Sequence, residues 1–218
     1  SYRTVEVHIR NILLKINASS QKEIINFVLT SKEVSLIKEH YYNLLITIKF
    51  EEELHKISKL NHDISCTIFF FHHYKIKDTK PQQLSKSLTS ANIKVLSKNW
   101  RQEKPTTWAK NYQGNINAII YYISDQFAAW ILNEKHDLFK ETDQIKLSIK
   151  SNFQIIFILP NTTVGNTLKS QLNNSICLQD KNNYLLCFEL LNILLPNLTN
   201  KHYITFKKQH DSILSQKI

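Results

Sequence analysis

The sequence predicts an α/β protein in which a helical N-terminal part precedes one α/β domain. From about residue 62 onward, short apolar runs of strand length alternate with amphipathic stretches of helical length. Before residue 62, the apolar residues recur mainly with helical spacing. Apolar residues make up 42% of the 218 positions, so the chain has enough of them to build a core.

Five apolar runs are predicted to form strands, at residues 64–71, 93–96, 118–123, 153–159 and 175–178. Helical periodicity occupies residues 82–91, 126–133, 164–172 and 184–194. Strands that are apolar on both faces and alternate with helices indicate a parallel sheet covered on both sides. We therefore predict a five-stranded, parallel, doubly wound domain of flavodoxin-like architecture over residues 62–205. Ligands of such sheets bind beyond the carboxyl ends of the strands.

Residues 1–30 are predicted to form two short helices. The opening SYRTVEVHIRNILLKI also alternates like a half-buried strand through Val5, Val7 and Ile9. A capping box formed by Ser20 and Glu23 precedes a second apolar segment, and the letters NASS between the two segments are typical of a turn. This context favours the helical interpretation of the opening.

Residues 31–61 are predicted to form a helical connector. Its apolar residues have the 3, 4, 3, 4 spacing of a coiled-coil seam, at Val34, Ile37, Tyr41, Leu44 and Ile48. A homodimer through residues 34–48 is one interpretation. The alternatives are an ordinary amphipathic helix, or a strand at LLITIKF. Residues 206–218 are predicted to be a solvated tail.

Composition and charge exclude several classes of function. The formal charge of +10 is compatible with nucleic acid or an anionic membrane as partner, although an excess of Lys, Asn and Ile also arises from AT-rich coding. No apolar run is long enough to span a bilayer, and the three cysteines are few and widely spaced, so we expect a cytoplasmic protein without a membrane partner. No CxxC or HExxH pattern predicts a metal site, and two glycines exclude a Gly-rich phosphate loop.

Residues 3–28, RTVEVHIRNILLKINASSQKEIINFV, resemble the recognition helix and last helix of the LuxR/NarL-type helix-turn-helix. The match includes the Thr-Val-x-x-His start, the apolar-apolar-x-Lys stretch and the Ser-capped final helix. The resemblance implies double-stranded DNA as a partner, with a recognition helix in the major groove. It assigns DNA contact to Arg3, Thr4, Glu6, Val7, Arg10 and Lys15. The first two helices of that family's unit are missing, so we expect the chain to begin within a domain.

Within those residues, one face of the helix carries Val5, Ile9, Ile12 and Ile16 for packing, and the opposite face carries Glu6, Arg10 and Lys15. Arg10 suits guanine or phosphate, and Val7 suits a thymine methyl group. Arg3 and Lys15 suit phosphate contacts.

The α/β region resembles a TIR domain along its length. The segments that carry this resemblance are CTIFFFHHY, QLSKSLTSANIKVLSK, FQIIFILP and NAIIYYISDQFAAWILNEKHDL, which contains Trp130 and Glu134 as a Trp-x-x-x-Glu pair. The resemblance implies that Glu134 is the catalytic carboxylate of NAD cleavage, where a carboxylate stabilises an oxocarbenium-like centre. His72, His73, Tyr74, Trp100, Trp108 and Trp130 would then line the ligand crevice. The loop NWRQEKPTTWAKNYQGN departs from the family pattern, and many TIR domains are scaffolds, so Glu134 as a plain surface residue stays an alternative.

Three functions follow from these observations. The first is a LuxR-type transcriptional regulator, truncated at its N-terminus, with a TIR-like signalling domain that self-associates. The alternative is a TIR-type NAD hydrolase, for which NAD is the substrate and no cofactor is required. The second alternative is an α/β interaction domain without catalysis.

Overall fold

The computed structural model describes residues 2–61, 65–72, 80–99, 104–112, 114–133, 138–148, 152–172 and 175–216. The chain divides into two compact units, one made of residues 1–49 and 209–218 and the other of residues 50–208, which we call the helical unit and the α/β unit. Among the described residues the elements are, in order, α1 (Tyr2–Lys15), α2 (Gln21–Thr30), α3 (Lys32–Leu60), β1 (Cys66–His72), α4 (Lys80–Ser90), β2 (Ile93–Asn99), α5 (Pro105–Asn111), β3 (Ala118–Tyr122), α6 (Asp125–Asn133), α7 (Leu138–Ser148), β4 (Gln154–Leu159), α8 (Thr163–Gln171), β5 (Ile176–Gln179), α9 (Asn183–Leu194) and α10 (Pro196–Ser215).

The α/β unit is built on a five-stranded sheet in the order β2-β1-β3-β4-β5. All four strand pairs are parallel, as the apolar runs predicted. This order, with α-helical crossovers between the strands, is that of a flavodoxin-like, doubly wound fold. The predicted fold class is therefore confirmed for the sheet and its covering helices.

Alternate side chains of the strands point to opposite faces of the sheet, and each face is buried under helices. On one face Phe69, Tyr121 and Phe157 form a cluster with apolar side chains of α5, α6, α7 and α8. On the other face Phe70, Ile120 and Ile156 are fully buried, and α4 packs beside α9. Burial on both faces explains why these strands are continuously apolar rather than alternating.

The predicted boundary at residue 61 is wrong, because the C-terminal part of α3 belongs to the α/β unit. The ring of Phe50 lies 4.6 Å from that of Tyr184 and 5.5 Å from that of Phe188, measured between centroids. The strand alternative at LLITIKF is also wrong, since α3 is one helix from Lys32 to Leu60. Leu54 and Ile57, in the part of α3 that follows the predicted coiled-coil seam, are buried.

The prediction of a solvated tail at residues 206–218 is wrong. Residues up to Ser215 belong to α10, in which Phe206 and His210 are buried. The ring of Phe206 stacks on that of Phe188 with centroids 4.8 Å apart. The exposed side of the helix carries Lys207 and Lys208. Because of these polar residues, the composition of the whole segment is typical of a solvated tail.

The helical unit begins with α1 and α2. The helical interpretation of the opening is confirmed, whereas its identity as a helix-turn-helix stays a prediction. Asn17 adopts a left-handed conformation with φ of 53° in the turn, where asparagine is tolerated better than most residues. Ser20 caps α2 by accepting a hydrogen bond from the Glu23 amide. The Glu23 carboxylate accepts from the amide and the hydroxyl of Ser19, both at 2.7 Å, so the box closes one residue earlier than predicted.

In the described part of the chain, no helix combines the length and the apolar character that crossing a membrane requires.

Candidate functional site

The carboxyl edge of the sheet brings two aromatic residues together at the point where the strand order reverses. β1 ends at His72 and β3 ends at Tyr122, and the register pairs these two residues on adjacent strands. Paired residues on neighbouring strands point to the same face. That face is the one covered by α4 and α9. The region is where doubly wound sheets bind their ligands.

A partly buried carboxylate connects this edge to two other elements. The Tyr122 hydroxyl donates a hydrogen bond of 2.9 Å to Asp180 Oδ2, and Lys80 Nζ lies 3.2 Å from the same oxygen. Asp180 follows β5, and its amide donates to the Leu159 carbonyl at 2.6 Å. We call Lys80, Tyr122 and Asp180 the carboxyl-edge cluster. It joins the ends of β3 and β5 to the start of α4.

The same face shows how α4 and α9 are held beside each other. The Asn183 side-chain amide donates to Gln83 Oε1 at 2.9 Å. Asn182 caps α9 by accepting from the Tyr184 amide at 2.9 Å. One side-chain hydrogen bond therefore joins the N-terminal turns of α4 and α9.

On the opposite face, the loops that follow β3 and β4 are tied together. Thr162 caps α8 by accepting from the Gly165 amide, and its own hydroxyl donates to Asp125 Oδ1 at 2.6 Å. A Cβ atom at Gly165 would lie 1.9 Å from the Pro160 carbonyl oxygen. Glycine is required here because α8 starts in contact with the backbone that leaves β4.

Three of the predicted crevice residues lie in the described part of the chain. Trp108 lies on α5 and packs into the core cluster, with its ring stacked on Tyr112 at a centroid distance of 5.0 Å. Trp130 lies on α6, about half exposed, and stacks on Phe127 at 5.4 Å. His72 lies at the end of β1, as predicted. The remaining predicted residues, His73, Tyr74, Trp100 and the catalytic candidate Glu134, lie outside the described residues.

The predicted DNA-binding residues lie on α1. Glu6, Val7, Arg10 and Lys15 are exposed, and Arg3 and Thr4 belong to the same helix, although their side chains are outside the described part. The face predicted for packing is only partly covered. Ile9 and Ile16 are half-buried, while Val5 and Ile12 are exposed. Both faces of α1 thus carry exposed side chains.

Sequence analysis missed the carboxyl-edge cluster. The sequence patterns did not single out Tyr122, Asp180 or Lys80. A usable signal was present, because Asp180 is the first acidic residue after a predicted strand in a parallel sheet. Its partners came from distant segments of the chain, which one sequence does not reveal.

Neither metal ligation nor cysteine chemistry is supported in the described part of the chain. That part contains no group of three His, Cys, Asp or Glu side chains that would hold a metal ion. Burial raises the pKa of the Cys66 and Cys187 thiols. Both cysteines are therefore protonated at neutral pH and act as small apolar side chains.

Comparisons with known proteins give a limited result. No protein-family model matches the chain, and no curated protein matches it significantly. Among solved structures, the C-terminal domain of glucosamine-fructose-6-phosphate aminotransferase from Francisella tularensis is similar, with a TM-score of 0.36 and 12% identity. That alignment covers 88% of this chain and 48% of that one, so the chain spans about half the length of this relative.

Proposed function

We propose that this protein is a DNA-binding regulator in which α1 lies in the major groove. The observation that carries the proposal is the exposed face of α1, on which Arg10 and Lys15 are accessible together with Glu6 and Val7. The left-handed turn at Asn17 and the capped start of α2 support it, since they give the two helices a defined turn. The resemblance of residues 3–28 to a LuxR-type motif supplies the class.

The geometry suits groove binding. A helix of 14 residues is about 21 Å long at 1.5 Å per residue, and the major groove admits one helix. Arg10 has the donors for two hydrogen bonds to guanine or for a phosphate contact. Glu6 accepts hydrogen bonds only, so it favours the amino group of cytosine and disfavours phosphate. In this proposal the α/β unit is a TIR-like signalling module that receives an input or assembles.

The first experiment is a selection of random-sequence duplexes by the purified product of the complete gene, followed by anisotropy measurements on the selected duplex. We expect affinity to fall steeply between about 50 and 200 mM salt, because phosphate contacts release counterions. Arg10→Ala should weaken binding by about 5-fold to 150-fold, because one base or phosphate contact of about 1–3 kcal/mol is lost.

The matched control is Lys94→Ala, which removes an exposed positive charge from β2 in the α/β unit. Its binding should equal that of the wild type within about twofold, since one distant charge contributes little at moderate salt. If both variants weaken binding alike, nonspecific charge explains the affinity and the groove assignment fails. If the selection enriches no duplex, DNA binding itself is rejected.

A second candidate, cleavage of NAD by the α/β unit, is favoured by Trp130. Its indole is about half exposed on the helix that follows β3, and it offers a flat surface for a nicotinamide or adenine ring. Purified protein at high concentration should release nicotinamide from NAD, and Glu134→Ala should abolish the release. Absence of turnover in the wild type would leave the α/β unit as a non-catalytic interaction module.

A further inference from the structure

A line of apolar side chains on α3 is left uncovered. Ile37, Tyr41, Leu44 and Ile48 are 67%, 55%, 50% and 40% exposed. They follow one another at intervals of 4, 3 and 4 residues, so they lie along one side of the helix. We call them the α3 stripe. An uncovered row of large apolar side chains is typical of an interaction surface.

The stripe is not the side by which this part of α3 packs within its own unit. Ile46 is buried, and the Tyr42 hydroxyl donates a hydrogen bond of 2.8 Å to the Gln216 carbonyl at the end of α10. Both residues lie off the stripe. The internal packing of the helical unit therefore leaves the stripe available.

The spacing of the stripe specifies its occupant. Apolar residues every 3.5 positions stay in line only against another helix that has the same repeat, as in a two-stranded coiled coil. A second copy of this chain provides that helix with a matching stripe, which makes the contact self-complementary about a two-fold axis. We propose that the α3 stripe is the seam of a parallel homodimer of this protein.

Residue types along the seam favour the parallel orientation. With Tyr41 at position a and Leu44 at position d, the β-branched Ile48 falls at the following a position. A β-branched residue at a combined with Leu at d is typical of parallel two-stranded coiled coils. The next d position after Ile48 is Glu51, which ends the seam.

The size of the seam sets the strength of association. Stable interfaces bury about 800 Å² on each partner, more than a seam of two heptads supplies. We therefore expect a weak dimer, with a dissociation constant on the order of micromolar. If the proposed DNA binding holds, two half-sites on one duplex would raise the effective concentration of the second copy. The seam itself does not depend on that proposal.

Disulfide trapping without DNA tests the seam directly. Leu44→Cys is made in a Cys177→Ser background, because Cys177 is half-buried while Cys66 and Cys187 are buried. In a parallel coiled coil the two Leu44 positions oppose each other within the distance that a disulfide bridges. We expect oxidation to give a covalent dimer on a non-reducing gel. The matched control is Asn43→Cys, an exposed neighbouring position off the stripe, which should stay monomeric.

Sedimentation equilibrium of the uncrosslinked protein provides the second measurement. The apparent mass of the wild type should rise with concentration, Leu44→Asp should remain at the mass of one chain, and Asn43→Asp should behave as the wild type. The proposal is overturned if Leu44→Cys stays monomeric, if Asn43→Cys crosslinks equally, or if the wild-type mass is constant up to about 200 μM, roughly two-hundredfold above a micromolar dissociation constant. None of these outcomes bears on DNA binding, because no DNA is present.

Discussion

The two units of this protein use their apolar side chains in opposite ways. In the α/β unit, the exposed fraction of Phe69, Phe157 and Phe188 is at most 1%. In the helical unit, Leu14, Phe27 and Ile37 are all more than half exposed. Burial of large apolar side chains is the main stabilising contribution to a fold. The α/β unit is thus stabilised by its own core, whereas the helical unit presents apolar surface that suits partners.

The sharpest way to break this contrast is to truncate one phenylalanine in each unit. Phe157→Ala should lower the free energy of unfolding by about 3–5 kcal/mol, because it leaves a cavity inside a packed core. Phe27→Ala should change it by less than about 0.5 kcal/mol, as expected for an exposed side chain. Urea unfolding followed by tryptophan fluorescence reports on the α/β unit, which contains all three tryptophans. Equal losses for the two variants would contradict the division.

A smaller effect tests how closely the α/β unit is packed. Gly165→Ala should lower its free energy of unfolding by about 1–3 kcal/mol, because the new methyl group meets the Pro160 carbonyl, which is backbone. The matched control is the other glycine of the chain, Gly114, where an added Cβ meets the side chain of Tyr112 instead. Gly114→Ala should cost less, since a side chain moves more easily than backbone. A larger loss for Gly114→Ala would show that α8 tolerates displacement.

A buried carboxylate gives the α/β unit a pH dependence. Glu53 Oε2 lies 2.6 Å from His202 Nδ1, and Glu53 Oε1 accepts from Lys56 at 2.5 Å. Burial opposes ionisation of Glu53, but the hydrogen bonds from Lys56 and His202 outweigh it and lower the pKa of this carboxyl. Because the pKa of Glu53 is lowered, its ionised form stabilises the fold at pH values above the ordinary glutamate pKa of 4.5. This stabilisation is lost as the pH falls through the pKa of the folded state.

Glu53→Gln should therefore lower the free energy of unfolding at pH 7 by about 1–3 kcal/mol and should reduce its decline between about pH 5 and pH 3. Urea unfolding at several pH values measures both effects. Glu52→Gln, at the exposed neighbouring position, should leave the pH dependence unchanged. If Glu53→Gln retains the full acid sensitivity, other carboxylates determine it.

The smallest expected effect lies in the helical unit. Hydrogen bonds from the Ser19 amide and hydroxyl lower the pKa of Glu23, so acid should loosen the start of α2 as Glu23 takes up a proton. Carbon chemical shifts of Ile24 and Ile25, followed by NMR through this pH range, should move slightly toward coil values. Glu23→Ala should remove the titration, and Lys22→Ala should not. A pH-independent α2 in the wild type would rule out the cap as a stabilising contact.

The sheet was predictable because its central strands β1, β3 and β4 are mostly buried on both faces, which gives continuous apolar runs of strand length. α7 escaped prediction because few of its residues are apolar and the buried face includes Thr142 beside Ile145. The helix α10 was not predicted, because the lysines on its exposed side made the segment appear polar although Phe206 packs on the other side. The carboxyl-edge cluster could not be predicted, since it depends on which loops meet above the sheet.

The shortage of glycine has a consequence for the unfolded chain. Left-handed backbone positions that glycine often fills are here occupied by Asn17 and Asn92. Asparagine has fewer accessible backbone states than glycine when unfolded, so less disorder is lost on folding. Asn92 also donates from its side chain to the Ser58 carbonyl at 2.8 Å, and Asn61 donates to the Ala91 carbonyl at 2.9 Å. The turn at Asn92, between α4 and β2, therefore reverses the chain and also holds the end of α3 by hydrogen bonds. Glycine has no side chain and would supply only the reversal.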